Sequence, residues 1–268
     1  MEDLLNTIQY SASNNSERPF TVYSSIKEQV LLNVPVVKPL LIIVLSGEKQ
    51  LGKNNELICN SGEFIFLSDS PAINMRNIPK DKEYFALLIE FEFQDFNGLQ
   101  VRGFNSKKYC SGSVETILER CLKQFVESSQ WAPKQLWSLR KREIIELLCH
   151  MGHAEILSMV GNHKVSHQLH DIFCKQGFDR LTINNICSQL AMSESTLRRK
   201  LKSEGATLQE VKDQARWGLG LHLLQTTNNS IGVISEMCGY QSQSRFTERF
   251  KLRFGLTPTE LRKTKVTD

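Results

Sequence analysis

The sequence has 268 residues, 40% of them apolar and 23% charged, and its 33 lysines and arginines exceed its 29 aspartates and glutamates by four. This composition is typical of a globular chain of one or two domains, and no run approaches the ~18 apolar residues of a membrane helix. The acidic first residues lack a signal-peptide pattern, so the chain is expected in the cytoplasm. Residues 1–160 carry a net charge of −2 and residues 161–268 a net charge of +6. That asymmetry favours an anionic partner for the second part, nucleic acid first.

Residues 20–94 are predicted to form β-strands. Short runs rich in β-branched and aromatic residues alternate there with Gly, Asn, Ser and Pro at turns. Their close spacing favours an antiparallel sandwich or a small barrel over a parallel βαβ sheet. The predicted strands are Phe20–Ser25, Gln29–Val34, Leu40–Leu45, Leu57–Cys59, Phe64–Leu67 and Tyr84–Phe93.

Two helices, over residues 113–129 and 134–160, are predicted to close the first domain. In the first of them, apolar residues recur at three- and four-residue intervals, which is the stripe of an amphipathic helix. This stripe either packs on the strands as core or pairs with a second copy in a homodimer, and the second helix is expected to share its role. Residues 161–164 are a predicted linker, and residues 165–268 are predicted to form a domain of short helices.

The helical domain contains an internal repeat. Apolar positions of residues 183–201 recur 48 or 49 positions later in residues 231–250. Each copy predicts a short helix, a tight turn and a second helix, which is the pattern of a helix-turn-helix. Gly239 suits a left-handed turn, and Ser193 and Ser242 are predicted to cap the second helices. The matched pairs are Ile183 with Ile231, Ile186 with Ile234, Leu190 with Cys238, Leu197 with Phe246 and Leu201 with Phe250.

The outward face of the second helix in each copy carries side chains of the types that contact DNA. Arginine pairs with guanine, glutamine pairs with adenine, and an acid accepts from cytosine. Lys202 and Lys251 are candidates for phosphate contacts. One copy alone would favour an ordinary helical hairpin with a solvated face, but two copies with matching caps, turns and basic faces favour DNA binding. The candidates for base contacts are Ser195, Arg198, Arg199, Gln243, Ser244, Arg245, Thr247 and Glu248.

Several motifs lie close together in the second copy. Residues 230–258 combine an I-x-x-I spacing, a Gly-Tyr pair, an x-S-x-S-x-F helix start and an F-G-x-T-P sequence. With these motifs, residues 165–265 closely resemble the DNA-binding domain of the AraC/XylS family of bacterial transcription regulators. The resemblance implies seven helices, with helix-turn-helix units at about 182–203 and 231–254 joined by a linker helix at about 208–226. It also implies that the two recognition helices enter successive major grooves, about 34 Å apart.

The predicted linker helix departs from the family's usual R-L-x-x-A-x-x-L-L pattern. Arg216 matches, but Trp217 replaces Leu, Gly220 replaces Ala, and Gly218 adds a second glycine. Each glycine costs roughly 1 kcal/mol of helix stability relative to alanine. We therefore hypothesise that this helix is more flexible than is usual in the family and that it holds the two recognition helices less firmly.

The same resemblance, weaker over residues 20–160, implies a cupin-like first domain over residues 1–160 that binds an effector or dimerises. The expected fold class is α+β: a cupin-like β-barrel or sandwich with flanking helices, then an all-α domain with two helix-turn-helix motifs. The lumen either holds a ligand or is filled by side chains. Some family members respond to fatty acids, so a fatty-acid-like carboxylate is a candidate effector. Arg18, Lys27 and Lys38 are its candidate partners, with solvated surface charges as the alternative.

The sequence argues against an enzyme or a metal site. A metal-dependent cupin needs imidazole ligands on its strands, but the six histidines lie at 150, 153, 163, 167, 170 and 222. The seven cysteines include no C-x-x-C pair, which disfavours a disulfide framework or a four-cysteine zinc site, and none has the Pro-Cys-His-Arg setting of a DNA-repair alkyltransferase. His163, His167 and His170 have the spacing of one helix face, but a polar linker is preferred to a metal clamp. No catalytic residue, metal or cofactor is predicted.

The sequence therefore predicts a sequence-specific DNA-binding transcription regulator, with activation preferred to repression. Double-stranded DNA and RNA polymerase are the expected partners, while a small-molecule effector and a homodimer remain open. The alternatives are a regulator without an effector and a co-regulator that acts by protein–protein contact. The latter leaves Arg198, Arg199 and Arg245 unexplained.

Overall fold

The computed structural model of the chain describes residues 1–12, 17–80, 82–99, 109–161, 163–178 and 181–265. A β-sandwich with flanking helices comes first, and a domain of helices follows. This arrangement is the predicted α+β class. Within the described ranges, no helix is long and apolar enough to cross a membrane.

The strands of the first domain form two antiparallel sheets in the residues described. One sheet has the order β1-β8-β3-β6-β9 and the other the order β2-β7-β4-β5. Each sheet keeps two edge strands, so the sandwich alternative is confirmed and the closed barrel is wrong. The strands are β1 (Thr21–Ser25), β2 (Gln29–Val36), β3 (Leu40–Ser46), β4 (Glu48–Leu51), β5 (Leu57–Asn60), β6 (Glu63–Leu67), β7 (Ser70–Ile78), β8 (Tyr84–Glu90) and β9 (Tyr109–Ser113).

Strands β4, β7 and β9 were missing from the sequence prediction. Their sequences, Glu-Lys-Gln-Leu, Ser-Pro-Ala-Ile-Asn-Met-Arg-Asn-Ile and Tyr-Cys-Ser-Gly-Ser, are too polar to stand out. They are strands because neighbouring strands supply ladder partners, which outweighs weak intrinsic propensity. The predicted strand over 84–93 ends at Glu90, and Phe93–Phe96 forms a 3-10 turn instead.

The first-domain helices cover the outer face of the five-stranded sheet. They are α1 (Glu2–Ala12), α2 (Thr116–Ser128), α3 (Trp137–Leu148) and α4 (Glu155–Val160). Leu118, Leu122 and Phe125 of α2 are buried against this sheet, so most of the predicted stripe is core. The prediction of a single helix over 134–160 is wrong. A π-turn over Cys149–His153, which contains Gly152 at φ 98°, separates α3 from α4.

The second domain has seven helices among the described residues. They are α5 (Val165–Gln176), α6 (Ile183–Gln189), α7 (Glu194–Ser203), α8 (Leu208–Thr226), α9 (Ile231–Met237), α10 (Gln243–Phe254) and α11 (Pro258–Arg262). Six of them begin after a hydroxyl residue whose oxygen accepts a hydrogen bond from a backbone N–H of the first turn, which stabilises a helix start. These caps are Thr182, Ser193, Thr207, Ser230, Ser242 and Thr257.

The F-G-x-T-P sequence forms the junction between α10 and α11. Phe254 is fully buried, and Gly255 ends α10 in the left-handed conformation at φ 84°. Thr257 caps α11 in a reciprocal pair with Glu260, and Pro258 occupies the first turn, where no N–H is needed. Each residue of the motif therefore has a role in ending one helix and starting the next.

Candidate DNA interface

The two helix pairs α6–α7 and α9–α10 have matching internal packing. In the first pair, Leu197 and Leu201 of α7 are buried. Phe246 and Phe250 take the equivalent buried positions of α10. The turns also match, since Ala191 has φ 50° and Gly239, its counterpart in the repeat, has φ 72°. Both copies therefore present the second helix with its apolar side inward.

The outer faces of α7 and α10 are open to solvent. Every predicted DNA contact is exposed except Thr247, which is half-buried. Two further exposed basic residues, Lys200 and Arg249, were missed by the sequence prediction. Arg249 follows Arg245 by one helical turn, and this spacing is a signal that would have found it. The exposed candidates are Ser195, Arg198, Arg199, Lys202, Gln243, Ser244, Arg245, Glu248 and Lys251.

Arg198 already has a partner on its own helix. Its Nε lies 2.8 Å from Oε1 of Glu194, and a terminal guanidinium nitrogen lies 2.7 Å from the same oxygen. Both side chains are exposed, so this pair contributes little to stability. An anionic partner would compete with the Glu194 carboxylate for this guanidinium, whereas Arg199 of α7 and Arg245 of α10 are exposed.

Arg216 of α8 contacts the turn of the second helix pair and the segment that precedes the first pair. A terminal guanidinium nitrogen donates a hydrogen bond to the Gly239 carbonyl oxygen at 3.1 Å. The guanidinium carbon lies 5.3 Å from the Tyr240 ring centre and 5.5 Å from that of Phe178, within the range of cation–π attraction. One side chain therefore contacts the turn of the second pair and the segment between α5 and α6.

The departures of α8 from the family pattern fit its packing against the second pair. A Cβ on Gly220 would lie 3.3 Å from Sγ of Cys238 and 3.3 Å from a ring carbon of Phe246, so the glycine permits a close approach. Trp217 is buried, with its ring 5.7 Å from that of Tyr240. Of the two glycines of α8, only Gly218 has open space around it. The hypothesis of a helix softened by two glycines therefore needs correction, because Gly220 is a packing residue.

A chain of buried polar side chains joins the sandwich to the second domain. The Lys49 ammonium donates to Oδ1 of Asn77 at 2.7 Å, and Asn77 donates to Oε1 of Gln29 at 2.9 Å. Gln225 of α8 donates to that same Gln29 oxygen at 3.1 Å, and Gln29 donates to the Thr264 hydroxyl at 2.7 Å. Lys49 is 4% exposed, and burial lowers its pKa to about 8. The sandwich interior and α8 thus share one hydrogen-bonded chain.

Two of the three histidines with the spacing of a metal clamp, His163 and His167, contact the sandwich where the second domain begins. His163 lies before α5, and its ring stacks on Phe93 at 4.9 Å, while the His167 ring stacks on Phe93 at 4.2 Å. His167 also lies 3.3 Å from a carboxylate oxygen of Asp69, which holds the pKa of that carboxyl at about 2 with help from Lys164. His170 instead contacts Cys174 and Asp171. His163 and His167 therefore share Phe93 as a partner, while His170 has separate contacts on its own helix.

The predicted effector contacts have different surroundings. Lys38 is held by carboxylates, with its ammonium 2.8 Å from Glu92, 3.0 Å from Asp171 and 3.7 Å from Glu90. Lys27 is exposed in the turn between β1 and β2. Arg18 is half-buried, and burial lowers its pKa. Lys38 already has its counter-charges within the protein.

Two cavities lie outside the space between the sheets. One of about 300 Å³ adjoins the linker and is lined by Phe93, Phe96, Leu157 and His163 among others. The other, of about 420 Å³, lies on the outer face of the four-stranded sheet and is lined by residues including Val30, Leu32, Gln50 and Arg76.

The helical domain is similar in sequence to known proteins. Residues 186–264 match the model of a family described as a helix-turn-helix domain. The porin thermoregulatory protein EnvY of Escherichia coli strain K12 is 34% identical over 73 residues, which are 27% of this chain and 29% of EnvY. The HTH-type transcriptional regulator GadX of E. coli O6:H1 is 37% identical over 79 residues, 30% of this chain and 29% of GadX. The urease operon transcriptional activator of E. coli is 32% identical over 80 residues, 30% of this chain and 27% of the activator.

The match thus spans less than a third of the length of each of these relatives. Similarity of fold extends much further. The structure of ToxT from Vibrio cholerae in its P21 form has a TM-score of 0.64 at 16% identity, over 94% of this chain and 100% of ToxT. Wild-type ToxT of strain SCE256 with bound unsaturated fatty acid has a TM-score of 0.65 at 14% identity, over 94% and 97% of the two chains. At this identity the similarity shows the fold, a sandwich followed by a helical domain.

Proposed function

We propose that this chain, whose carboxyl-terminal domain is a helix-turn-helix domain of the AraC/XylS family, is a sequence-specific DNA-binding transcription regulator. The observation that carries the proposal is the duplication of one unit: two helix pairs with matching caps, turns and buried faces, each with an exposed polar and basic second helix. An ordinary helical hairpin with a solvated face would not require this duplication. Relatives of this domain are named as transcriptional regulators.

In the proposed complex, α7 and α10 enter successive major grooves on one side of the duplex. Arg198, Arg199 and Arg245 are the leading candidates for guanine contacts, and Gln243 for an adenine contact. Ser195, Ser244, Thr247 and Glu248 are secondary candidates. Lys202 and Lys251 contact phosphates and fix the position of the domain on the backbone.

The proposal is tested by mapping the sites bound in the genome and then measuring affinity for one such site and for random DNA. Arg245→Ala should lose affinity for the mapped site by about 1–3 kcal/mol and relax specificity at one position. Lys251→Ala should weaken both DNAs alike and reduce the slope of affinity against salt. Equal losses on both DNAs for Arg245→Ala would contradict its assignment, and the absence of any bound site would favour the co-regulator alternative.

Activation through contact with RNA polymerase is part of the proposal and is supported by the urease operon activator among the relatives. A reporter gene driven by a mapped site distinguishes activation from repression. Deletion of the gene should lower expression from that reporter, and a rise would identify a repressor.

A second proposal concerns an effector of the first domain. ToxT, similar in fold, has been solved with a bound unsaturated fatty acid. In the present chain, the fully buried Lys49 ammonium faces the space between the sheets and is linked to α8 through Asn77, Gln29 and Gln225. The Lys49 ammonium donates to a neutral amide and lies 5.7 Å from the centre of the Tyr84 ring, so it suits the carboxylate of an apolar ligand better than Lys38, whose charge is already paired. Arg18 and Lys27 remain as predicted partners at the surface.

Thermal unfolding in the presence of long-chain unsaturated carboxylates tests this effector. Wild-type protein and the exposed-residue control Lys27→Met should be stabilised, and Lys49→Met should not. If the carboxylates stabilise Lys49→Met but not Lys27→Met, the ligand binds at the surface near Lys27 and not at Lys49. No stabilisation of the wild type favours a regulator without an effector.

Homodimerisation is proposed through the helices of the first domain. Several large apolar side chains remain exposed there, and a second copy that covered them would remove apolar surface from water. Leu139 of α3 is 63% exposed, so Leu139→Asp should shift a dimer to monomers in analytical ultracentrifugation without loss of the fold. The exposed residues are Ile117, Trp131, Leu136 and Leu139.

A further inference from the structure

Three side chains that can bind a metal ion meet at the edge of the five-stranded sheet. Cys110 lies on the edge strand β9, His153 ends the π-turn, and Glu155 begins α4. Their donor atoms all lie within 4.8 Å of one another, and Sγ of Cys110 is 3.7 Å from Nδ1 of His153. Two ligands at Zn–S and Zn–N bond lengths from one tetrahedral ion are about 3.5 Å apart. The cysteine–histidine pair is therefore close to a chelating separation.

Independent features of the backbone hold the His153 ring in this place. A Cβ on Gly112, two residues after Cys110, would lie 2.6 Å from Cε1 of His153, so a glycine is needed there. The Phe64 ring meets the imidazole at 86° and 5.0 Å between centres. Gly152 has φ 98°, which turns the chain immediately before His153. A π-turn inside a helical segment is also frequent at functional sites.

We propose that Cys110, His153 and Glu155 form a binding site for a borderline divalent transition metal ion, with Zn²⁺ as the ion that these donors suit best. A thiolate, an imidazole and a carboxylate are all ligands of zinc, and three protein ligands leave the fourth tetrahedral position for water. On binding, the Cys110 thiol gives its proton to solvent and the imidazole binds in its neutral form. Glu155 supplies the third ligand, since its carboxylate oxygen already lies within 4.8 Å of both other donor atoms.

The bound ion would join β9 to α4. Because α4 ends at Val160, directly before the linker, the ion fixes the segment that leads into the DNA-binding domain. The site is separate from the outward faces of α7 and α10. It also differs from the clamp considered for His163, His167 and His170, whose rings contact other partners.

Titration of the reduced apoprotein with Co²⁺ and then Zn²⁺ tests the site. The wild type should bind one ion, with a thiolate-to-Co²⁺ charge-transfer absorption that Zn²⁺ abolishes. Cys110→Ser should lose this absorption, and Glu155→Ala should weaken Zn²⁺ binding by more than about tenfold, because removal of even an outer partner costs 10–100-fold. The matched control is Cys174→Ser: Sγ of Cys174 is also 3.7 Å from a histidine nitrogen, that of His170. Among the described residues, however, that pair forms no group of three donor atoms that all lie within 4.8 Å of one another.

Thermal unfolding in EDTA shows whether each variant folds without metal. If the buried Cys110→Ser does not fold, the half-buried Glu155→Ala decides the question through its Zn²⁺ affinity. The proposal is overturned if the wild type binds no ion, if Glu155→Ala binds as tightly as the wild type, or if Cys174→Ser is the variant that loses the absorption.

Discussion

The guanidinium of Arg216 donates a hydrogen bond to the carbonyl oxygen of Gly239 while lying between the rings of Tyr240 and Phe178. These contacts tie one position of α8 to the turn of the α9–α10 pair and to Phe178, in the segment before the α6–α7 pair. We therefore expect the relative placing of the two helix pairs to depend on a planar, multidentate cation at this position. A lysine ammonium offers a point charge and does not reproduce the planar stacking.

Arg216→Lys is accordingly expected to lower the free energy of unfolding by about 1–2 kcal/mol, from a lost hydrogen bond and weakened ring contacts. It should also weaken binding to a two-site operator more than binding to either half-site. Chemical denaturation and fluorescence anisotropy measure the two effects. Equal losses on the full operator and on half-sites would mean that Arg216 has no role in placing the helices.

The two glycines of α8 should respond in opposite ways to alanine. Gly218→Ala should raise the free energy of unfolding by about 1 kcal/mol, because it has open space and alanine is the better helix former. Gly220→Ala should lower it, since the new Cβ crowds Cys238 and Phe246 by more than the gain in helix propensity, and overpacking costs about 1–3 kcal/mol. Urea denaturation of the two variants decides the matter, and stabilisation by both changes would contradict the close packing of Gly220.

Exchanging alanine and glycine at the turns of the two helix pairs should change stability in opposite directions. Ala191 has φ 50°, a left-handed conformation that costs an L-residue with a Cβ roughly 1–2 kcal/mol. Ala191→Gly should therefore stabilise the chain by about 0.5 kcal/mol, after the entropy cost of glycine in the unfolded state. Gly239→Ala should destabilise it by about 1 kcal/mol at φ 72°. Thermal unfolding checks both signs, and a destabilised Ala191→Gly would mean that the turn carries no strain.

His170, on the first helix of the second domain, should make stability depend on pH. Burial lowers the pKa of His170, but hydrogen bonds with Asp171 and Cys174 outweigh burial and raise it to about 9. A raised pKa means that this contribution is complete below about 6.5 and is lost as the pH rises to 9. The difference in unfolding free energy between the wild type and His170→Gln should thus fall by on the order of 2 kcal/mol over that range.

His222→Gln is the matched control, because burial lowers the pKa of His222. Relative to this variant, the wild type should lose stability as the pH falls below 6.5, which is the opposite direction. If the difference in unfolding free energy between the wild type and His170→Gln stays constant from pH 6 to 9, the contact with Asp171 does not keep His170 protonated.

The features that the sequence predicted are those encoded locally. Ser193 and Ser242 are caps, Gly239 has the expected positive φ, and seven of the ten matched apolar positions of the repeat are buried. Each depends on residues within about one turn, so pattern and propensity suffice. Strand β9 was missed because Tyr-Cys-Ser-Gly-Ser becomes a strand only through its pairing with β6.

The parts of the site that the sequence did not predict depend on contacts between distant segments. Nothing local indicates that Arg216 meets Gly239, or that Gly220 lies under Phe246. The grouping of Cys110 with His153 and Glu155 was likewise hidden, because it needs both the missed strand and the break in the helix predicted over 134–160. Long-range packing, rather than residue type, determines these positions.

Changing the spacing of an operator tests the central claim most directly, because the two recognition helices are proposed to read successive major grooves from one face of the duplex. With a mapped operator, inserting about 5 base pairs between the two half-sites turns one half-site to the opposite face, whereas about 10 base pairs restores the face at a greater distance. We expect the 5-base-pair insertion to reduce affinity to that of a single half-site, with protection lost at whichever half-site is released. Undiminished affinity and unchanged protection of both half-sites after that insertion would contradict the account.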